Sequence, residues 1–158
     1  MRFVTAMVVF FVMGCASHPV PPSGTEGTQA AQVDAVQKQK ADFERLIAQS
    51  VGVLGPGPVN DMLHLAQSMT PTGLIVFHVV TTEELGVREK SLATNEYIQA
   101  LRSRIEPGLD KAAVAKVRTS VRKMDDVALS AFWAIICRVM LEQPQSPEFD
   151  AFFGALEN

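Results

Sequence analysis

Residues Val127 to Leu141 read VALSAFWAIICRVML, and Ser130 and Arg138 are the only polar side chains in this stretch. Asp125 and Asp126 stand directly before it and can cap a helix that begins there. The stretch is shorter than the roughly 20 residues of a membrane-spanning helix and too apolar for a surface helix. We therefore predict that it is the central helix of a helical domain. The core residues predicted on it are Phe132, Trp133, Ile136 and Met140.

Three further helices in the second half of the chain are bounded by residues that typically start or stop helices. Thr94 or Asn95 begins one that ends at Pro107, Asp110 caps the next, and Ser146 opens the last. Apolar residues in each recur at the three- and four-residue spacings typical of a buried helix face. These residues are Tyr97, Ile98, Leu101 and Ile105, then Val114, Val117, Val121 and Met124, and finally Phe149, Phe152, Phe153 and Leu156.

The first half of the chain predicts two more helices. One begins at about Ala30 and is expected to stop within residues 51–59, which contain three Gly and two Pro. Asn60 and Asp61 can then cap a short helix that Thr70-Pro71 closes.

Residues 74–80, Leu-Ile-Val-Phe-His-Val-Val, fit two interpretations. The β-branched run is compatible with a buried strand, and a buried helix from Pro71 to Leu85 with Gly86 after its end is equally compatible. We favour the helix, because a lone strand has no evident partner elsewhere in the chain and would leave its backbone groups unpaired. The sequence alone leaves both open.

Together these segments predict an all-α domain of about six or seven helices over residues 30–158, packed irregularly rather than as a long bundle. A chain of 158 residues is about one domain long, and 47% hydrophobic with 20% charged residues is an ordinary globular composition. Residues 16–29 contain three Pro, two Gly, two Ser and two Thr, so they cannot build a core. Residues 15–29 are therefore predicted to be a flexible tether.

The charge balance excludes one large class of partners. Fourteen Lys and Arg against 17 Asp and Glu give a formal net charge of -3, so the chain lacks the net basic field that nucleic-acid binding requires. We expect no DNA or RNA partner.

The first residues have the pattern of an export signal. Arg2 precedes an apolar run of 11 residues from Phe3 to Met13, which suits the hydrophobic region of a signal peptide and is too short to span a bilayer. The run ends in Val12-Met13-Gly14-Cys15, which resembles the lipobox of bacterial prolipoproteins. An ordinary secretory signal with a cysteine at its cleavage site is the alternative.

The resemblance implies that residues 1–14 are removed as a signal peptide and that the thiol of Cys15 carries a diacylglyceryl group. Two or more acyl chains, palmitate among them, would anchor the protein stably, whereas a single chain gives only marginal membrane binding. Ala16, where an Asp often marks inner-membrane retention in the resembling proteins, favours the outer membrane, with the domain facing the periplasm.

Few residues suggest chemistry. Cys137 stands among Ile and Val, which indicates a buried and inert thiol, and without Cys15 it has no disulfide partner. His64 and His78 could meet Asp61, Glu83 or Glu84, but their spacing matches no metal signature, so partly buried, hydrogen-bonded histidines are expected. His18 is expected to be solvated in the tether. We predict no catalytic residue, no metal site and no cofactor.

The strongest charge asymmetry in the chain is a cluster of basic residues around the predicted helix that Asp110 caps. This cluster is a candidate partner-binding face, and a plain solvated face is the alternative. Its members are Lys111, Lys116, Arg118, Arg122 and Lys123. The favoured function is a non-catalytic binding or assembly module of the envelope, such as an accessory of a secretion or conjugation apparatus, or an inhibitor or immunity lipoprotein. The alternative is a small periplasmic hydrolase of cell wall or lipid that uses Glu83 and Glu84 beside His78. A weaker third possibility is an apolar ligand pocket lined by methionines, namely Met62, Met69, Met124 and Met140.

Overall fold

The structure, a computed structural model, describes residues 26–90, 95–143 and 146–157, and these residues confirm the predicted all-α class. They form seven α-helices. In chain order the helices are α1 (Glu26–Leu54), α2 (Pro56–Gln67), α3 (Pro71–Arg88), α4 (Glu96–Ala100), α5 (Lys111–Val121), α6 (Asp126–Glu142) and α7 (Pro147–Glu157). Helix α4 continues through a π turn, Leu101–Ile105, into a 3-10 turn, Glu106–Gly108.

Several sequence predictions concern residues that the structure does not describe. The signal peptide 1–14, Cys15, His18 and Thr94 lie outside the described residues. Helix α1 begins at Glu26 rather than at about Ala30, so its first turn lies within the segment predicted to be a tether.

Helix α6 is the central helix, as predicted, and packs against α1, α2 and α3. Twelve of its 17 residues are buried, including all four predicted core residues. Trp133 is 1% exposed, and its indole Nε1 donates a hydrogen bond to Oγ1 of Thr82 at 3.0 Å. Its ring also meets the edge of Phe43, with centroids 5.6 Å apart. The indole therefore joins α6 to both α3 and α1.

Residues 74–80 are helical, as favoured, and lie within α3. Oγ1 of Thr70 accepts a hydrogen bond from the backbone N–H of Gly73, and Pro71 occupies the first helical position. The helix runs to Arg88, past the predicted end at Leu85, because Gly86 is buried in regular helix rather than serving as a stop. A helix pairs its own backbone groups, so this apolar segment can be buried without a neighbouring strand.

The break between α1 and α2 is sharper than the sequence predicts. The chain turns at Gly55, whose φ of 83° suits only glycine with ease, and α2 begins at Pro56. Asn60 and Asp61 therefore lie inside α2 and do not cap it, and that prediction was wrong. Pro56 and Pro58 are tolerated because the first N–H groups of a helix have no intrahelical partner to lose.

The predicted aspartate and asparagine caps are otherwise confirmed. The side chain of Asn95 accepts from the N–H of Tyr97 at 2.8 Å, and Asp110 accepts from Ala112 at 2.8 Å. Asp125 accepts from Ala128 at 2.8 Å at the start of α6. Each cap satisfies an N–H group that the first helical turn leaves unpaired.

By length and apolarity, no single helix within the described ranges could cross a bilayer. In the same ranges, α6 and α7 taken together match a span in length and composition, and the pair is bent by 113°.

Replacing Trp133 with Ala should lower the free energy of unfolding by about 3 to 5 kcal/mol, because it removes a buried ring and leaves Thr82 without its donor. Urea unfolding followed by far-ultraviolet circular dichroism measures the loss. Val127→Ala is the control on the same helix, since Val127 is 37% exposed and should cost less than about 1 kcal/mol. Equal losses for the two variants would contradict the central position of Trp133.

Candidate functional site

A buried carboxylate on α3 is the starting point of the candidate site. The side chain of Glu83 is 7% exposed, and its Oε2 accepts a hydrogen bond from Nη2 of Arg118 at 2.7 Å. Its Oε1 accepts no hydrogen bond from the described residues, and Nε of Arg102 lies 3.8 Å away. Because a buried charge is costly unless it is paired, the two arginines are what permits a glutamate at this depth.

Arg118 joins Glu83 to a second carboxylate. The same Nη2 donates to Oε1 of Glu106 at 2.9 Å, so one guanidinium nitrogen connects α3, α5 and the 3-10 turn. Burial raises the pKa of Glu83 against the opposing hydrogen bond from Arg118. Partial burial also tends to raise the pKa of Glu106, but its hydrogen bonds to Arg118 and Glu83 keep it below the usual value. The pKa values of the two carboxyl groups therefore move apart, and Glu83 is the one that holds a proton more readily.

The π turn positions the charged groups contributed by the segment after α4. Leu101 and Ile105 are buried and fix the turn against the core, while Arg102 between them remains partly exposed. Glu106 follows at the first position of the 3-10 turn, and Pro107 after it has no N–H with which to continue a regular helix. π turns are rare and occur frequently at functional sites.

An open cleft of about 320 Å³ lies between the π turn, the 3-10 turn and α5. Three cationic side chains, one carboxylate and three apolar residues surround it. The lining residues are Arg102, Glu106, Pro107, Lys111, Val114, Ala115 and Arg118. We refer to this space as the basic cleft.

The five predicted basic residues divide into two sets. At about 100° per residue, Lys111, Arg118 and Arg122 follow one stripe, whereas Lys116 and Lys123 lie more than a quarter-turn away from it. Arg118 of the first stripe pairs with Glu83 and Glu106, and Nε of Arg122 lies 3.5 Å from Oε2 of Glu84. Lys111, Lys116 and Lys123 are exposed and form no ion pair with the part of the chain that the structure describes.

A second ionic group ties α3 to the start of α6. Arg88 donates through Nη1 to Oδ1 of Asp126 and to the carbonyl of Met124, both at 2.8 Å. Its Nε also lies 3.3 Å from Oε1 of Glu84. These bonds cross the turn between α5 and α6, so Glu84 and Arg88 have a structural role.

His78 lies inside the core. Its Nε2 is 2.7 Å from the Tyr97 hydroxyl, and its Nδ1 is 3.6 Å from Sγ of Cys137. Burial lowers the pKa of His78 to about 4, so the imidazole is neutral at pH 7. Cys137 is 1% exposed, which confirms the predicted buried thiol. Although cysteine and histidine are neighbours here, neither is open to a substrate.

The structure separates the residues that the hydrolase hypothesis brings together. The ion-pair partners of Glu83 and Glu84 are arginines, not His78. His64 is exposed on α2, and the expectation that it is partly buried was wrong, because α2 buries only Val59 and Ala66. The four methionines lie in or pack against the hydrophobic core.

Sequence reasoning missed Arg102 and Glu106. One signal was available, since Glu83 and Glu84 follow directly on an apolar run in a helix predicted to be buried, and buried acids need cationic partners. Which arginines would serve was not readable, because Arg118 is 35 residues from Glu83.

Comparison with protein-family models, curated proteins and solved structures finds no match for this chain. Within the described ranges, no group of three or more His, Cys, Asp and Glu side chains could hold a metal ion.

The free energy of unfolding should fall as the pH is lowered from about 6.5 to about 4. The pKa of His78 is lowered in the folded protein, so the unfolded chain takes up this proton first and is favoured as the pH drops. His78 alone contributes a loss of about 3 kcal/mol over this window.

Urea unfolding at a series of pH values measures this loss. The wild type should be compared with His78→Gln, in which the side chain no longer titrates, so that the carboxyl groups cancel in the difference. His64→Gln is the matched control and should retain the slope of the wild type. Parallel curves for wild type and His78→Gln would refute the buried neutral imidazole.

Proposed function

We propose that this protein is a lipid-anchored envelope protein, bound to the outer membrane through Cys15, that acts as a non-catalytic binding or assembly module. The lipobox-like sequence Val12-Met13-Gly14-Cys15 supports the anchor. The observation that supports the binding role is the set of exposed lysines on and after α5. Lys111, Lys116 and Lys123 lack an ion-pair partner among the described residues, in a chain whose formal net charge is -3.

A basic surface on an acidic protein suits a protein partner with an acidic surface. Complementary charge raises the rate of encounter and selects among partners, and its effect weakens as salt is added. A lipid anchor restricts the search for such a partner to the membrane and its surroundings. Assemblies of this kind include secretion and conjugation machines, and inhibitor or immunity lipoproteins use the same arrangement.

The absence of catalysis is supported by the surroundings of the reactive side chains. Cys137 and His78 are enclosed in the core, and Glu84 is paired with Arg88 and Arg122. A nucleophile or general base must reach a substrate, and these groups do not.

A second candidate function, a small hydrolase acting on cell wall or lipid, has one observation in its favour. Glu83 and Glu106 are joined through Arg118 at the basic cleft, and their pKa values move in opposite directions. Such separation is typical of acid and base pairs. An assay of peptidoglycan release with wild type and Glu106→Gln decides the matter. Turnover that the substitution abolishes would favour the hydrolase over the binding module.

Replacing Cys15 with Ser should prevent lipid attachment, because serine offers no thiol to the diacylglyceryl group. We expect wild-type protein to incorporate radiolabelled palmitate and to fractionate with membranes, and the variant to do neither. Cys137→Ser is the control, since its buried thiol takes no part in anchoring and its label should be unchanged. If the wild-type protein fractionated with membranes without incorporating the labelled palmitate, the lipid anchor would be contradicted.

Reversing Lys116 and Lys123 together to Glu should weaken capture of an envelope partner roughly tenfold at low salt, and less at high salt. The measurement is affinity capture by the lipidated protein from solubilised membranes, followed by titration of the captured partner. Lys90→Glu, another exposed lysine, is the control and should leave binding unchanged. A partner bound equally well by the double variant would show that this face is only solvated.

A further inference from the structure

We infer that the basic cleft binds a carboxylate carried on a small apolar body. The inference rests on the proposed function in one respect, since Lys111 and Arg118 belong to both the predicted basic face and the cleft. It adds the chemical class of the group that is recognised. Arg102 lines the cleft and lies outside the predicted face. It therefore allows ligand binding at the cleft to be tested separately from partner binding at the face.

The cleft holds more hydrogen-bond donors than the protein uses. Arg118 serves both Glu83 and Glu106 through Nη2 alone, which leaves Nε and Nη1 without an acceptor among the described residues. The guanidinium of Arg102 makes no hydrogen bond to these residues, and its closest anionic atom is Oε1 of Glu83 at 3.8 Å. Lys111 adds three further donors with no ion-pair partner in the same ranges. A guanidinium presents its donors in a planar fork that matches the two oxygens of a carboxylate.

The charge balance favours a monoanion. Three cationic side chains line the cleft together with Glu106, and Glu83 lies 2.7 Å from Nη2 of Arg118. With both carboxylates ionised the five groups carry a net charge of +1 (three minus two), which one carboxylate neutralises. A dianionic phosphate would exceed this charge and would be repelled by Glu106 more strongly than a carboxylate is.

The size and lining of the cleft limit the rest of the ligand. A volume of about 320 Å³ is at the lower end of the range for small-molecule sites. Pro107, Val114 and Ala115 supply an apolar wall that can cover a short aliphatic group. Both a free small carboxylic acid and the carboxyl terminus of a peptide that ends in a small apolar residue present this chemistry.

The π turn is an independent observation at the same place. Arg102, within the turn, and Glu106, directly after it, both line the cleft, while Leu101 and Ile105 remain buried. π turns are rare and occur frequently at functional sites.

Titration of the full-length protein in detergent with N-acetyl-L-alanine, followed by isothermal calorimetry and ligand-detected NMR, tests the inference. We expect saturable binding, and binding of the carboxamide analogue should be at least roughly tenfold weaker because it lacks the charge. Arg102→Gln and Lys111→Gln should each weaken binding several-fold. Lys90→Gln, at an exposed lysine outside both the cleft and the predicted basic face, is the matched control and should bind normally.

Two further probes identify the source and the charge of the ligand. A tripeptide with a free carboxyl-terminal alanine that binds more tightly than N-acetyl-L-alanine would identify a chain terminus, and equal affinity would identify a free acid. Tighter binding of inorganic phosphate than of either carboxylate would overturn the inference. Equal binding of acid and amide, or normal binding by both Arg102→Gln and Lys111→Gln in folded protein, would also overturn it.

The failure of this inference differs from the failure of the proposed function. The partner-capture experiment depends on Lys116 and Lys123, neither of which lines the cleft. Carboxylate binding that requires Arg102 would stand even if reversal of those two lysines left partner capture unchanged. Loss of capture on their reversal, with no carboxylate binding, would leave the proposed function and refute the cleft.

Discussion

Helix α3 is enclosed on most sides, and each polar side chain in its buried part must therefore find a partner within the protein. His78 meets the hydroxyl of Tyr97, Thr82 accepts from Trp133, and Glu83 accepts from Arg118. The partners come from α4, α6 and α5, so the needs of one helix fix how three others are arranged around it. An unsatisfied polar group at such depth would cost more than most single contacts provide, which makes these pairings mutually dependent.

The local features of the fold were readable from the sequence because each depends on neighbouring residues. Asp110 and Asp125 start their helices as predicted, and the apolar positions of α6 are buried where the spacing puts them. The features that were missed depend on contacts between residues far apart in the sequence, or on which residues the first turn of a helix tolerates. Helix α1 ends within the predicted range, but α2 begins at Pro56, where the first turn tolerates proline, and not after Asn60 and Asp61. The acids of α3 are paired with arginines that no local pattern identifies.

The charges of α5 serve two purposes. Arg118, next to the buried side of the helix, neutralises acids that belong to the core, so its contribution is largely internal. Lys116 and Lys123 project away from those acids and remain available to other molecules. A count of basic residues on the helix therefore overstates the surface that a partner can use. Burial and ion pairing are what distinguish Arg118 from the two lysines. The buried His78 is a comparable case, because its contacts with Tyr97 and Cys137 contribute to stability and not to reactivity.

The π turn at Leu101–Ile105 has a consequence for how this surface can diversify. Such a turn holds one residue more than an α turn, so a single-residue insertion into a helix can create it. Leu101 and Ile105 keep their buried positions, and the exposed Ser103 lies between them. Gain or loss of one residue here would change which side chains border the neighbouring space while the core contacts persist. Insertion and deletion, as well as substitution, would then be routes by which the surface of this cleft diversifies.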